Sequence, residues 1–134
     1  MAGENQPLEI TIPASADLSS FQYRAVWQRS DGSAGTHAEA YGTAGTPSIG
    51  ILTNKPGAAG RGARIAIGGV AKMEAGVAVA AGDLVIAAGI AGRATAIGPT
   101  TAFAGYAMGI AKTRAAASGD IFEVYLTGPF WVQR

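Results

Sequence analysis

The sequence predicts an all-β protein: a small single-domain β-barrel or sandwich of short antiparallel strands with an extended N-terminal arm. Short apolar segments rich in Val, Ile and Thr recur along the chain, and these residues suit a pleated, half-buried sheet. Turn residues (Gly, Pro, Asn and Asp) separate the segments at close and regular spacing. A chain of 134 residues is most simply one domain.

Composition narrows the class of protein further. The net charge is only +1, whereas a protein that neutralises nucleic-acid phosphates usually carries a clear basic excess. The chain has no Cys, which excludes disulfides and thiolate metal sites. The most apolar window, residues 75–92, is interrupted by Asp83 and several glycines, so it is a poor membrane span. We therefore expect neither a nucleic-acid partner nor a membrane partner.

Residues 1–20 are predicted to form the arm. Leu8, Ile10 and Ile12 alternate with polar residues in a strand pattern, and prolines bracket this segment. Burying three aliphatic side chains stabilises by roughly 5–9 kcal/mol, whereas ordering some ten backbone residues costs on the order of 10–20 kcal/mol. Two interpretations stay open: a disordered terminus or edge strand of the domain, and an arm that adds to a partner's sheet.

The β-barrel domain is predicted over residues 21–127. Its expected strands are 21–28, 49–53, 63–73, 83–88, 92–97, 105–112 and 120–127. Asp31-Gly32 is a hairpin dipeptide, and residues 33–47 are expected to form a loop with a short strand near 39–41. Residues 128–134 are predicted to be a C-terminal tail that leaves the sheet at Pro129.

The residues that catalysis or a metal ion would need are scarce. The only histidine, His37, lies in a weakly patterned segment, and a hydrolytic triad would need it beside a carboxylate and an activated hydroxyl. Asp83 and Asp120 each follow Gly and precede an apolar segment, which is typical of turn residues that bond their own backbone. We therefore expect no catalytic site, no metal, no cofactor and no small-molecule substrate.

Residues 55–64 are rich in glycine, as phosphate-binding loops are. Gly57, Gly60 and Gly62 match neither the P-loop nor the dinucleotide-binding spacing. No helical pattern follows them, so no helix N-terminus is expected there to hold a phosphate. A hairpin loop with solvated basic side chains is the simpler interpretation, and a basic contact with a partner is the alternative.

Several short motifs, in their order and spacing, resemble the phage head decoration proteins, also called capsid cement proteins. The likeness runs from about Tyr23 to Leu126. Its parts are Tyr23-Arg24-Ala25-Val26, Asp31-Gly32, Ser48-Ile49-Gly50-Ile51-Leu52-Thr53-Asn54, Gly69-Val70-Ala71-Lys72, Ala80-Ala81-Gly82-Asp83-Leu84-Val85, Gly92-Arg93-Ala94, Gly109-Ile110-Ala111, Gly119-Asp120-Ile121 and Glu123-Val124.

This resemblance implies a structural virion protein rather than an enzyme. Such proteins bind the major capsid protein on the outside of an expanded head, commonly as homotrimers at local three-fold positions, and stabilise it against internal DNA pressure. The implied location is the outer capsid surface of the virion, after synthesis in the host cytoplasm. The N-terminus fits this expectation, because no basic region precedes an apolar core as in a signal peptide.

Within this hypothesis two groups of residues are candidate contacts. Leu8, Ile10 and Ile12 would pair with a strand of the capsid protein, because backbone pairing tolerates changes in side chains. Phe130 and Trp131 are candidates for a subunit interface, where aromatic side chains often anchor the contact. Packing of both aromatic side chains on their own barrel is the alternative.

Two other classes of protein are weighed against this one. A virion-displayed β-barrel that binds carbohydrate or a host surface would need an exposed aromatic cluster. Trp27 is expected in a strand core, which leaves Trp131 as the free tryptophan. An enzyme would have to depend on His37.

Overall fold

The computed structural model describes residues 7–36, 48–87, 92–98 and 103–133. Within these ranges the protein is all-β, with nine strands and no helix, which confirms the predicted fold class. The strands are β1 (Leu8–Pro13), β2 (Ala25–Gln28), β3 (Ala34–Thr36), β4 (Gly50–Leu52), β5 (Gly62–Glu74), β6 (Leu84–Ala87), β7 (Ala94–Ile97), β8 (Ala104–Ala111) and β9 (Ile121–Gln133). The short strand predicted near 39–41 lies outside the described residues.

The strands form an antiparallel sheet that curls into a half-barrel. The order across the sheet is β3-β2-β4-β5-β9-β8-β6-β7, and β1 pairs separately with β5. The long strand β5 joins the two halves, because its first part pairs with β1 and β4 and its second part pairs with β9. Among the named strands, β1 therefore pairs its backbone with β5 alone.

The two ends of the curled sheet approach each other at the start of β2. The N–H of Ala25 donates to the carbonyl of Gly92, just before β7 (2.8 Å). Nearby, the carboxylate of Glu74 forms ion pairs with Arg24 and Arg93, and the side chains of all three residues are about one third exposed or less. These contacts link the segments at the start of β2, the end of β5 and the start of β7, and so hold the two ends of the curled sheet together.

Apolar side chains form separate clusters on the two faces of the sheet. The main core includes Ile51, Met73, Phe122 and Val124, which lie inside the curl. A second cluster covers the other face of β4 and the first part of β5; its buried members are Ala14, Leu18, Val26, Ala34, Leu52, Ala63 and Ile65. This second cluster is the one against which β1 packs.

Turn chemistry is correctly predicted at three acidic residues. Gly32 adopts φ +91° in the Asp31-Gly32 turn, and Asp31 accepts bonds from the backbone N–H (2.9 Å) and hydroxyl (2.6 Å) of Ser33. Asp83 and Asp120 accept backbone N–H bonds from residues three or four positions earlier, at 3.0–3.1 Å. Each aspartate thus bonds its own local backbone, as the sequence indicates.

A strand is predicted over residues 21–28, but the observed strand begins only at Ala25. The prediction is therefore wrong for residues 21–24. Tyr23 has φ +67°, a left-handed conformation that no continuous strand allows. Its N–H donates to the carbonyl of Leu52 (2.7 Å), and its carbonyl accepts from the N–H of Glu74 (2.8 Å). Tertiary hydrogen bonds on both sides therefore stabilise a turn where side-chain alternation predicts a strand.

The prediction that residues 128–134 leave the sheet is also wrong over the described part. Strand β9 continues to Gln133 and pairs with β8 along this stretch. The register shifts between Ala107 and Gly109 on β8, and Gly128 on β9 adopts φ +83°. This irregularity accommodates Pro129, since proline is tolerated in sheets at bulges.

Candidate interaction surface

Side chains suited to metal binding are not clustered within the described ranges. No group there of three or more His, Cys, Asp or Glu side chains could hold a metal ion. Nor does any helix of the described residues have the length and apolarity to cross a membrane. His37, on which the enzyme hypothesis depends, lies outside the described residues. The described part of the chain does present a cleft and open surfaces.

A cleft of about 320 Å³ opens beside the middle of β5. It is lined by Pro7, Glu9, Tyr23, Thr53, Val70, Ala71, Lys72 and Glu123. Its two carboxylates have partners: Glu9 accepts a bond from the hydroxyl of Thr53 (2.7 Å) and pairs with Arg64 (2.8 Å), and Glu123 lies 3.7 Å from Lys112. These contacts hold strands together, which gives the carboxylates a structural role.

One side of β1 is bonded to β5, and hydrogen bonds elsewhere identify which residues face the other side. Thr11 is paired in register with Arg64. The N–H of Arg64 donates to Asn54 Oδ1 (3.0 Å) and its carbonyl accepts from Thr53 N–H (2.8 Å), both on the far side of β5. Since Arg64 uses its backbone groups there, Thr11 belongs to a non-hydrogen-bonded pair.

Alternation along the antiparallel ladder then orients the rest of β1. Ile10 and Ile12 direct their backbone groups towards β5. Ala14, the next residue in this series, confirms the alternation, because it exchanges bonds with Arg61 (2.8 Å) and Gly60 (2.9 Å) in the segment that leads into β5. Glu9 and Thr11 therefore present their N–H and C=O groups along the outer edge of β1, where no strand of the described residues is paired.

The predicted contact residues Leu8, Ile10 and Ile12 lie on β1, and their solvent exposure decreases along the strand from Leu8 to Ile12. Leu8 is 64% exposed and Ile10 is 38% exposed. Ile12 is half-buried and packs against the second cluster, which contains Leu18 and Ile65. Of the interpretations left open, the edge strand is the one observed over Leu8–Pro13. Leu8 and Ile10 remain available to a partner, whereas Ile12 contributes to the domain's own core.

Phe130 and Trp131, the predicted interface aromatics, point to opposite faces of β9. Phe130 packs against a small cluster of Ile86, Ile97 and Ala107, so for this residue the local-packing alternative is observed. Trp131 is 54% exposed and makes an edge-to-face contact with Tyr106 on β8, with ring centroids 5.3 Å apart and planes at 81°. Trp131 is thus the member of the pair that a partner can reach.

An apolar row on the outside of the sheet was not predicted from the sequence. Tyr125 on β9 is 48% exposed and lies in register between Val70 on β5 and Ile110 on β8, which is 41% exposed. The sequence does contain a sign of this row. Residues 120–127 have apolar side chains at both alternating sets of positions, as expected for a strand with neither face fully solvated. This row is a further apolar surface beside the cleft.

The chain matches no protein-family model and no curated protein. The resemblance to phage head decoration proteins therefore depends on the order and spacing of the sequence motifs alone.

Proposed function

We propose that this chain is a structural virion protein that binds the outside of an expanded phage capsid and stabilises it against internal DNA pressure. The proposed assembly is a trimer at local three-fold positions, with the major capsid protein as the partner. The motif resemblance suggests this role, and the open edge of β1 is the structural observation that supports it. The low net charge of +1 is compatible with a protein-binding surface.

The physical basis of the interaction is strand addition. Glu9 and Thr11 each offer a backbone donor and acceptor on the outer edge of β1, and an extended capsid segment can satisfy both pairs. Each backbone hydrogen bond contributes about 0.5–1.5 kcal/mol net. Burial of the exposed parts of Leu8 and Ile10 adds to this. Three such edges in one trimer would raise the avidity well above the affinity of a single edge.

Co-sedimentation with undecorated, expanded heads of the parent phage tests this proposal. The wild-type chain is expected to bind saturably at a fixed ratio to the capsid protein. The variant Thr11→Pro should reduce the affinity roughly tenfold, because the ring removes an outward N–H and obstructs the approach of another strand. No bond to β5 is lost, since Thr11 belongs to a non-hydrogen-bonded pair.

The matched control is Thr11→Val, which keeps the N–H and a β-branched side chain and should bind heads like the wild type. Circular dichroism and thermal melts establish that both variants fold. Equal head binding by folded Thr11→Pro and Thr11→Val would contradict a role for the β1 edge. Failure of the wild type to bind heads with empty sites would contradict the decoration function itself.

The alternative function, a virion-displayed module that binds carbohydrate or a host surface, is favoured by a different observation. Trp131 is exposed beside Tyr106 on a regular two-stranded segment, and exposed aromatic rings are the usual platforms for sugars. A glycan array probed with wild type and Trp131→Ala tests this function. It predicts a glycan signal that the substitution abolishes, together with no binding to heads.

A further inference from the structure

We infer that β1 binds its partner without leaving β5, as a bridging strand between the domain and the partner's sheet. This inference rests on the proposed function. The alternative is a strand that detaches from β5 and transfers to the capsid. The two modes differ in whether the contacts between β1 and the rest of the domain are broken on binding. Three sets of contacts on the inner side of β1 favour the bridging mode.

The first set is the backbone ladder. All six residues of β1 are paired with β5, from Leu8 opposite Gly68 to Pro13 opposite Gly62, with one register shift between Leu8 and Glu9. The pairing extends beyond the strand, because Ala14 exchanges two backbone bonds with the segment before β5. The N–H of Ser15 then donates to the carbonyl of Ala34 at the start of β3 (2.9 Å). Detachment of the strand would break all of these bonds.

The second set is polar and involves the side chain of Glu9. One carboxylate oxygen accepts from Arg64 on β5 (2.8 Å), and the other accepts from the hydroxyl of Thr53 beyond β4 (2.7 Å). The carboxylate thus fastens β1 to two neighbouring segments. This leaves the backbone groups of Glu9 on the outer edge unobstructed, since only its side chain is engaged.

The third set is the apolar contact on the inner face. Ile12 and Ala14 belong to the cluster that also contains Ala63 and Ile65, both of which are fully buried. Release of β1 would uncover these two side chains of β5. A bound partner on the outer edge requires no such exposure.

The structure also defines the partner that this edge fits. The usable edge is short, because Pro13 has no N–H and Pro7 precedes the strand. The partner is therefore an extended protein segment of roughly five residues, with apolar side chains on the face shared with Leu8 and Ile10. Its backbone N–H and C=O groups must be free on one side, as on an exposed strand edge of the capsid protein.

A reversible covalent lock distinguishes the two modes. Thr11 and Arg64 form a non-hydrogen-bonded pair, in which the Cα–Cα distance of about 4.5 Å permits a disulfide. The variant Thr11→Cys/Arg64→Cys can be oxidised cleanly, because the natural chain has no Cys. The control lock, Lys72→Cys/Glu123→Cys, uses a pair between β5 and β9, where the backbone of Glu123 bonds towards β8.

The bridging mode predicts that the oxidised lock co-sediments with heads at least as tightly as its reduced form, because the disulfide holds β1 on β5 in place of the lost Arg64–Glu9 contact. A loss of tenfold or more on oxidation, restored by reduction and not seen in the control lock, would overturn it in favour of strand transfer. If no form of the chain binds heads, including the wild type, the proposed function fails instead, which is a different result.

A second measurement does not depend on the disulfide. Arg64→Ala loosens the inner contact of β1 by removing one of the two partners of the Glu9 carboxylate. In the bridging mode this variant should bind heads severalfold more weakly, because the edge is less well positioned. In the transfer mode it should bind more tightly, because docking on β5 competes with the capsid. Arg61→Ala removes an exposed arginine side chain just before β5; it is the matched control and should bind like the wild type.

Discussion

At the residue scale, close backbone approach determines where glycine is required. A Cβ on Gly109 would overlap the carbonyl oxygen of Tyr125 on the paired strand, and one on Gly50 would overlap the carbonyl oxygen of Ala66. Neither glycine has a positive φ, so neither is a turn glycine. Their necessity arises from the close approach of the paired strand, which is why no local sequence pattern marks them.

Gly109→Ala should lower the free energy of unfolding by about 2–3 kcal/mol, because the methyl group must displace backbone rather than a flexible side chain. Urea denaturation followed by circular dichroism measures the change. The control is Gly57→Ala, where a Cβ meets nothing within 4 Å. That variant should be neutral or slightly stabilising. Equal midpoints for the two variants would refute the close contact.

Asp31 offers a test of local electrostatics. The hydroxyl and N–H of Ser33 both donate to its carboxylate and hold the pKa of Asp31 below its ordinary value of 3.8. Because the folded pKa is the lower one, this contact stabilises the fold above the unfolded pKa and is lost as pH falls through the folded value.

The variant Ser33→Ala should therefore raise the pKa of Asp31 towards 3.8. The titration is followed by NMR of the Asp31 carboxyl carbon. Asp17 serves as the internal control, because its pKa is lowered by a separate contact with Ser19 and should not move. An unchanged Asp31 titration would show that the hydroxyl does not set its pKa.

At the scale of elements, alternation and turn chemistry predict most strands but fail where tertiary contacts override them. The prediction for residues 63–73 agrees closely with β5 (Gly62–Glu74), since its apolar alternation and flanking turns are both local. The strand prediction is wrong for residues 21–24, because hydrogen bonds to Leu52 and Glu74 hold Tyr23 in a left-handed turn. The prediction that the chain leaves the sheet at Pro129 is wrong, because Gly128-Pro129 lies at an irregularity in the β8–β9 register and does not end the strand.

The continuation of β9 predicts losses of stability of different size when its two aromatic residues are replaced. Phe130→Ala should lower the free energy of unfolding by about 2 kcal/mol, because it removes packing from the cluster with Ile86 and Ile97. Trp131→Ala should lower it by less than about 1 kcal/mol, because more than half of this side chain is already exposed. Thermal and urea denaturation of the two variants under identical conditions compares them. The reverse ranking would be incompatible with β9 pairing through to Gln133.

At the scale of the whole molecule, the fold class could be predicted from sequence but the strand order could not. Repeated short apolar segments and Gly-Asp turns are sufficient for an all-β prediction. The order depends on long-range pairings, such as β5 with β1, β4 and β9 in succession. Likewise the alternation of Leu8, Ile10 and Ile12 predicts a strand, but its open side follows from the bonds of Arg64 to Asn54 and Thr53.

The proposed function assigns different contacts to two surfaces of the molecule. The outer edge of β1 and the exposed Trp131 lie on different strands, β1 and β9, which do not pair with each other. One surface can therefore contact the capsid while the other serves contacts between subunits. The proposed trimer uses both, with the β1 edge against the shell.

A cryo-electron microscopy reconstruction of expanded heads saturated with this protein would show directly whether and how it binds the capsid. The proposed function predicts trimeric density outside the shell at local three-fold positions, with a strand of the capsid protein added to β1 beside Glu9 and Thr11. Heads that stay bare at saturating protein, or density that attaches through Trp131 while the β1 edge is left uncovered, would contradict it.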